Sequence, residues 1–292
     1  MGFSQAGLTP ILEIPYAKYL DCAHDMFNEA VIANWLSNGK QRAGMVVRLQ
    51  GFDKGVFGGN FHTHNSLAIP PGLDVVCYSN GADYVRGLRY AVKQAAAGRI
   101  VMSVDSTDLL NRRHLCDDGS KKDGLMLTRY PPADSSADMT FDEIVMYARD
   151  NKKAKKKARK EVLIVTYGNG LPTSVLAMES LLSSQDLQLL SGTLEHGGVN
   201  VAVVDCPYLS SPPKQLTALL ARKKYSHVLF CDPCKQSSMP LGSMALLLQK
   251  DGFLEGVLWQ AVGAAATYNP LSRTLTFLSQ RDIEDAVNKL VA

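Results

Sequence analysis

The chain has 292 residues, 46% of them apolar, and a formal net charge of only +3. That length allows about two domains of ~100–200 residues, each with a core of its own. The basic excess sits in a single run, RDNKKAKKKARKE (149–161), so no distributed basic face points to nucleic acid, and no apolar stretch approaches the ~18 residues of a membrane-spanning helix.

Taken in chain order, LTPILEI (8–14) reads as a strand. Residues 18–36 read as an amphipathic helix, with Leu20, Ala23, Phe27, Ala30, Val31 and Trp35 at helical spacing. MVVRLQ (45–50) and DVVCYS (74–79) are short strands, and NGAD opens a helix with Asn80 as N-cap and Asp83 three residues on. RIVMSVD (99–105) returns as a strand. A Gly/Pro/Asp-rich stretch (117–138), a short helix (140–148) and the basic run, read as a solvated linker, follow. Strands at 162–168, 199–205, 227–232 and 257–263 then alternate with helices at 173–182, 214–223, 241–249 and 281–291. This alternation predicts an α/β protein of two domains, each a mainly parallel sheet covered by helices.

The six cysteines are scattered and mostly inside apolar segments, as reduced core thiols of an intracellular protein are. The N-terminus MGFSQAGLTP carries neither the basic nor the apolar region of an export signal. CDPC (231–234) has the spacing of half a zinc site or a redox pair, but no second pair completes four ligands, so it reads as strand-end thiols in a turn. GGNFHTHNS (58–66) is different in character. Its glycines permit close backbone approach, and His62 and His64 could hold a metal, transfer a proton, or sit in a solvated loop.

GLTPILEIPYAKYLDCAHDMFNEA, VVRLQGFDKGVFGGNFHTHNS and PPGLDVVCYSNGADYVRGLRYAV resemble, in order and spacing, the pyrimidine-binding domain of the β subunit of thiamine-diphosphate-dependent 2-oxoacid dehydrogenases, over residues 2–105. VLIVTYGNG, VAVVDCPYLSSPP, VLFCDP and QRDIEDAV are similar to that family's transketolase-like C-terminal domain. The resemblance implies a thiamine-diphosphate-binding fold lacking its first strand and helix (1–115), an insertion and basic linker (116–160), and a transketolase C-terminal-like domain (161–292).

The same resemblance places His62 on the family's active-site histidine and His64 on a position usually held by glutamine, beside the substrate. Tyr16 and Tyr19 fall on aromatic positions that line the cofactor's pyrimidine, although their spacing is equally that of core packing; Pro15 replaces a residue that is often polar. The glutamate that activates the cofactor is expected upstream of Met1. Ala95 to Ala97 stand where the family has potassium-associated Asp and Asn, so that ion site is expected to be absent. A G-D-G motif followed by asparagine, as needed for magnesium and the diphosphate, is not found in the sequence, and both are expected on a partner chain or a missing segment.

The implied activity is oxidative decarboxylation of a 2-oxoacid by a β-type portion acting with an α-type subunit or domain. Self-association and an acyltransferase core are the further partners implied, in the mitochondrion by resemblance and otherwise in the cytoplasm. Two alternatives remain. One is a non-catalytic assembly or interaction subunit derived from this family, and the other is a metal-dependent hydrolase using His62 and His64.

Overall fold

The computed structural model describes residues 1–52, 66–110, 137–148, 160–191, 198–267 and 277–292, with the backbone of 58–59 and 63–64. The first part runs α1 (Gly2–Gln5), β1 (Ile11–Ile14), a 3-10 turn (Ala17–Cys22), α2 (His24–Leu36), β2 (Met45–Gly51), β3 (Gly58–Gly59), β4 (Thr63–His64), β5 (Leu73–Val76), α3 (Gly81–Ala96), β6 (Ile100–Ser106) and α4 (Thr107–Leu110). The second part runs β7 (Val145–Ala148), β8 (Lys160–Thr166), α5 (Gly170–Ser191), β9 (Val199–Asp205), α6 (Lys214–Ala221), β10 (His227–Lys235), α7 (Pro240–Lys250), β11 (Leu258–Ala264) and α8 (Gln280–Val291).

The first sheet has the order β1-β2-β6-β5, with every pair parallel. Parallel strands covered on both faces need apolar side chains on both, which is why these segments read as unbroken apolar runs. Along β2, Val47 and Leu49 join the core under α2, where Phe27, Ala30 and Val31 are buried. Val46 points the other way, to the core under α3 with Ala91 and Ala95. Asn80 caps α3 as expected, its Oδ1 accepting from the Asp83 amide at 2.9 Å.

The second sheet has the order β11-β10-β8-β9-β7 and is parallel except for β7, which runs antiparallel to β9. Because β9 and β10 flank β8 on opposite sides, the chain reverses direction across the sheet at β8, the place where open α/β sheets form a crevice at their carboxyl ends. One continuous hydrophobic cluster includes Leu49, Phe52 and Val104 from the first sheet and Tyr167, Val204 and Phe230 from the second.

Two sequence expectations differ from the structure. Residues 140–148 do not form a helix: Glu143 Oε1 accepts from the Thr140 amide in a turn, and 145–148 is the strand β7. Val-Met-Tyr-Ala alternates half-buried and exposed, the period of a strand, and pairing with β9 satisfies that strand's outer edge. Residues 18–22 belong to the 3-10 turn rather than to α2, with Ala17 and Leu20, three apart, both buried.

Candidate functional site

The carboxyl ends of the two sheets meet. After β9 the chain lies along the outer edge of β5: Val76 bridges Tyr208 in antiparallel fashion, the Cys77 amide donates to Pro207 O at 2.9 Å, and the Leu209 amide donates to Val75 O at 2.9 Å. Gly168, in the turn after β8, has φ +53 and packs so closely that an added Cβ would stand 2.6 Å from the Cys77 sulfur, so glycine is required there.

Three aspartates lie at or near the carboxyl ends of three buried strands at this junction. Asp105, at the end of β6, accepts from Arg48 Nη2 at 2.6 Å, Tyr84 Oη at 3.3 Å and Ser103 Oγ at 3.1 Å. Burial nevertheless raises its carboxyl above the usual range, against the lowering effect of Arg48. Asp205, at the end of β9, accepts from Ser79 Oγ at 2.7 Å, while its Oδ2 has no hydrogen-bond partner among the described residues. Burial pushes its acid well above the usual carboxylate range, opposed by the Ser79 hydrogen bond and aided to a smaller degree by the Asp83 charge. Asp232, in β10, accepts from Tyr167 Oη at 2.7 Å and from the backbone amides of Cys234 and Leu241 at 2.9 and 2.8 Å. Its pKa is raised to about 6 by burial, those hydrogen bonds pulling it partly back.

Between them lies Cys77, fully buried, whose thiol is pushed far up by desolvation and then by the charges of Asp205, Asp105 and Asp232. It is therefore an inert core thiol. Cys231 and Cys234 face opposite sides of the second sheet, each in a different core cluster, which rules out a joint metal or redox role for CDPC. They lie within β10 rather than in a turn. Among the described residues no group of three or more His, Cys, Asp or Glu side chains is placed to hold a metal ion.

Of the expected site residues, Tyr16 and Tyr19 flank the start of the 3-10 turn that follows β1, at the carboxyl end of the first sheet. Their rings meet edge to face at 5.7 Å, and Tyr19 is 45% exposed while Tyr16 is half-buried. The backbone of β4, which includes His64, runs beside this turn and beside β2. His62 lies outside the described residues. Both flanks of the segment that holds the two histidines are tied to the second sheet's loops. Asn169 Nδ2 donates to Phe52 O at 3.1 Å, the Leu67 amide donates to Ser238 Oγ at 2.9 Å, and that hydroxyl donates back to Leu67 O at 3.0 Å.

A separate cleft of about 500 Å³ opens at the amino ends of β5 and β6, lined by Trp35, Arg42, Asp74, Arg99 and Tyr208 among others. Its polar groups are committed to one another: Arg99 donates twice to Asp74, at 2.6 and 2.5 Å, Tyr208 Oη donates to Asp74 at 2.8 Å, and Arg42 donates to Ala96 O at 2.9 Å. This cleft is a structural joint between the sheets.

The aspartates were not singled out in the sequence, although a signal was present. Each apolar run, RIVMSVD, VNVAVVD and HVLFCD, ends or nearly ends on an aspartate where a strand reaches its carboxyl edge.

No family model matches the sequence, and no curated protein matches it. Among solved structures, a split-gene transketolase described as an inactive β4 tetramer aligns with 99% of this chain and 78% of its own, with a TM-score of 0.59 and 16% sequence identity. The likeness establishes a transketolase-like fold. No helix among the described residues is long and apolar enough to cross a membrane.

Proposed function

We propose that this chain is a thiamine-diphosphate-dependent enzyme component, the β-type portion of a 2-oxoacid dehydrogenase, which takes part in oxidative decarboxylation together with an α-type partner. One observation carries the reading: the tyrosine pair at the carboxyl end of the first sheet lies beside the β4 backbone that includes His64, and the segment's flanks are fastened to the second sheet. On the sequence resemblance this is the wall that faces the cofactor's pyrimidine and the 2-oxoacid.

The residues present fit the aromatic end of the cofactor. Tyr19, 45% exposed and set edge to face with Tyr16, offers an aromatic surface suited to packing on a flat heterocycle. When bound, thiamine diphosphate supplies the stabilisation of carbanion charge that decarboxylation needs. This chain's part is to hold the ring, exclude water, and present an imidazole, His62, able to hydrogen-bond the 2-oxoacid carboxylate or hold a proton near neutral pH. The diphosphate and magnesium are assigned to the α-type partner, because the sequence lacks a G-D-G motif followed by asparagine. Residues 1–115 and 161–292 are the two functional units in this reading.

Self-association belongs to the proposal, since a solved structure of the same fold is a β4 tetramer. That structure's description as inactive also favours a second reading, a non-catalytic assembly subunit. Calorimetric titration with thiamine diphosphate and magnesium separates them. The chain alone is expected to bind weakly or not at all, and the chain co-purified with an α-type subunit is expected to bind tightly and turn over a 2-oxoacid. Tight one-to-one binding by the chain alone would overturn the divided site, and a complex without turnover would favour the assembly role.

A further inference from the structure

Phe52 and Leu67 stand before and after GGNFHTHNS (58–66) in the chain, and each is held by a different part of the second sheet. Phe52 packs edge-on against Tyr167, with ring centroids 6.1 Å apart, and its carbonyl accepts from Asn169. Leu67 makes two bonds to Ser238, its amide donating to Oγ at 2.9 Å and its carbonyl accepting from the same hydroxyl at 3.0 Å. Tyr167 lies just after β8, and Ser238 in the turn between β10 and α7.

One side chain, Asp232, joins these two holds. Its Oδ1 accepts from Tyr167 Oη at 2.7 Å and from the Cys234 amide at 2.9 Å, and its Oδ2 accepts from the Leu241 amide at 2.8 Å. The bonds to Cys234 and Leu241 close the two ends of the turn that carries Ser238. The turn is braced elsewhere as well. The Ser238 amide donates to Lys235 O at 2.8 Å and the Gln236 amide to Ala264 O at 2.9 Å. An added Cβ at Gly263 would stand 2.6 Å from Met239 Sδ and 2.7 Å from Cys234 O, so the turn sits directly on β11.

Capping of α7 does not by itself explain an acid here. Met239, the N-cap residue, gives α7 no side-chain cap, and Asp232 supplies one from β10. Asparagine would also cap a helix, without the cost of a carboxylate in a fully buried place. Three donors converge on Asp232, and its two oxygens accept from all of them at once. An asparagine has one acceptor oxygen and would turn its amide N–H groups toward one of those donors.

We infer that Asp232 is a positioning residue for the candidate site: its carboxylate fixes Tyr167 and the Ser238 turn together, and through them Phe52 and Leu67. The inference rests on the proposed function for what is positioned, and deepens it by naming the residue that sets the positions. Ionisation acts on the same network. The titratable groups around Asp232 among the described residues are Tyr167, Cys77, Cys231 and Cys234. Burial pushes all four up and leaves them neutral, whereas the acid itself lies at about 6. Above that pH the three donors meet a carboxylate and their bonds strengthen. Below it one oxygen carries a proton that the backbone amides cannot accept, so it turns to Tyr167 Oη.

The test follows backbone amide resonances of the full chain from about pH 5 to about pH 7.5 in the wild type, Asp232→Asn and Ser238→Ala. In the wild type the amides of Cys234, Leu241, Leu67 and Phe52 are expected to titrate together, with a midpoint of about 6. In Asp232→Asn all four are expected to take new positions at neutral pH and to lose the titration. In Ser238→Ala, which leaves the buried acid untouched, Leu67 alone is expected to lose it. In the proposed complex with an α-type subunit, Asp232→Asn is expected to raise the KM for the 2-oxoacid ~10-fold, with a smaller effect on kcat and a flattened acid limb of kcat/KM. Leu67 and Phe52 amides that stay in place in Asp232→Asn, or titrate there as before through a histidine, reduce Asp232 to a helix cap and overturn the inference. A Leu67 titration that persists in Ser238→Ala overturns it too, as does an active complex whose KM is unchanged. Resonances that move as expected in a chain whose complexes never turn over a 2-oxoacid uphold the hold on Phe52 and Leu67 and count against the proposed function instead.

Discussion

Ser79, just beyond β5, donates its hydroxyl to Asp205, at the end of β9, over 2.7 Å, and both residues are buried. The bond joins the two sheets through an acid whose second oxygen has no hydrogen-bond partner among the described residues. Burial, and after it the Asp83 carboxylate, keep this acid protonated well above the usual range. An ionised carboxylate there would face an apolar surrounding and a like charge at once.

The stability consequence has a definite sign. Because the folded-state pKa of Asp205 is raised, its contribution is fully present below the unfolded value of ~3.9 and is lost as pH rises through the folded value. Asp205→Asn keeps an acceptor for Ser79 and removes the titration. The Tm of this variant should match the wild type near pH 4 and exceed it increasingly toward pH 8. A difference that stays flat with pH would show that Asp205 is not held neutral.

At the opposite end of the joint, the hydroxyl of Tyr208 donates to Asp74, which also receives two bonds from Arg99. The Tyr208 phenol is pushed up to about 12, chiefly by burial and then by the Asp74 charge, so it remains a donor throughout the working pH range. Tyr208→Phe preserves the stack on Phe141 at 4.7 Å and removes the hydroxyl, with its bond to Asp74. Chemical denaturation should show a loss of about 1–3 kcal/mol, the worth of a hydrogen bond to a charged group. No measurable loss would mean that Arg99 alone satisfies Asp74.

Much of the architecture was legible in the residues because a parallel sheet covered on both faces demands unbroken apolar segments. The runs MVVRLQ, VLIVTYG and HVLFCD each became a strand of a parallel sheet, and NGAD gave the N-cap of α3. What was not legible depends on contacts remote in sequence. Val145 to Ala148 becomes a strand only because β9 offers a free edge, and no local pattern reveals that partner. Asp205 looks like an ordinary strand-end residue until Ser79, 126 positions away, is brought against it. The candidate site was read from a family likeness in GGNFHTHNS and EIPYAKY. The structure adds the meeting of Tyr16 with Tyr19 and the tethers at Phe52 and Leu67.

Those tethers lead to a prediction about coupling. Phe52 is buried with φ +57, a left-handed conformation that is strained for a bulky residue, and Asn169 holds its carbonyl while Tyr167 packs edge-on against its ring at 6.1 Å. Asn169→Ala leaves that buried carbonyl without its donor and should cost about 1–3 kcal/mol in denaturant unfolding. In the proposed complex with an α-type subunit it should also raise the KM for the 2-oxoacid, because Phe52 loses the tether that Asn169 supplies. A stability loss without any kinetic change would place Phe52 outside the active site.

The two histidines themselves are told apart by kinetics in the same complex. If His62 engages the substrate or its decarboxylation transition state, His62→Ala should lower kcat/KM by ~10²–10⁴-fold, the range for a positioned acid or base, without unfolding the protein. His64→Gln retains a donor and an acceptor at the position beside the tyrosine turn and restores the residue type the resemblance leads one to expect, so activity should survive largely intact. A zinc or iron site predicts the reverse for the second variant, because glutamine is a poor replacement for an imidazole ligand and bound metal would fall together with activity. Turnover and metal content measured on both variants decide the matter. Full turnover in His62→Ala would remove the histidine from catalysis, and a joint loss of metal in both variants would make the pair a metal site instead.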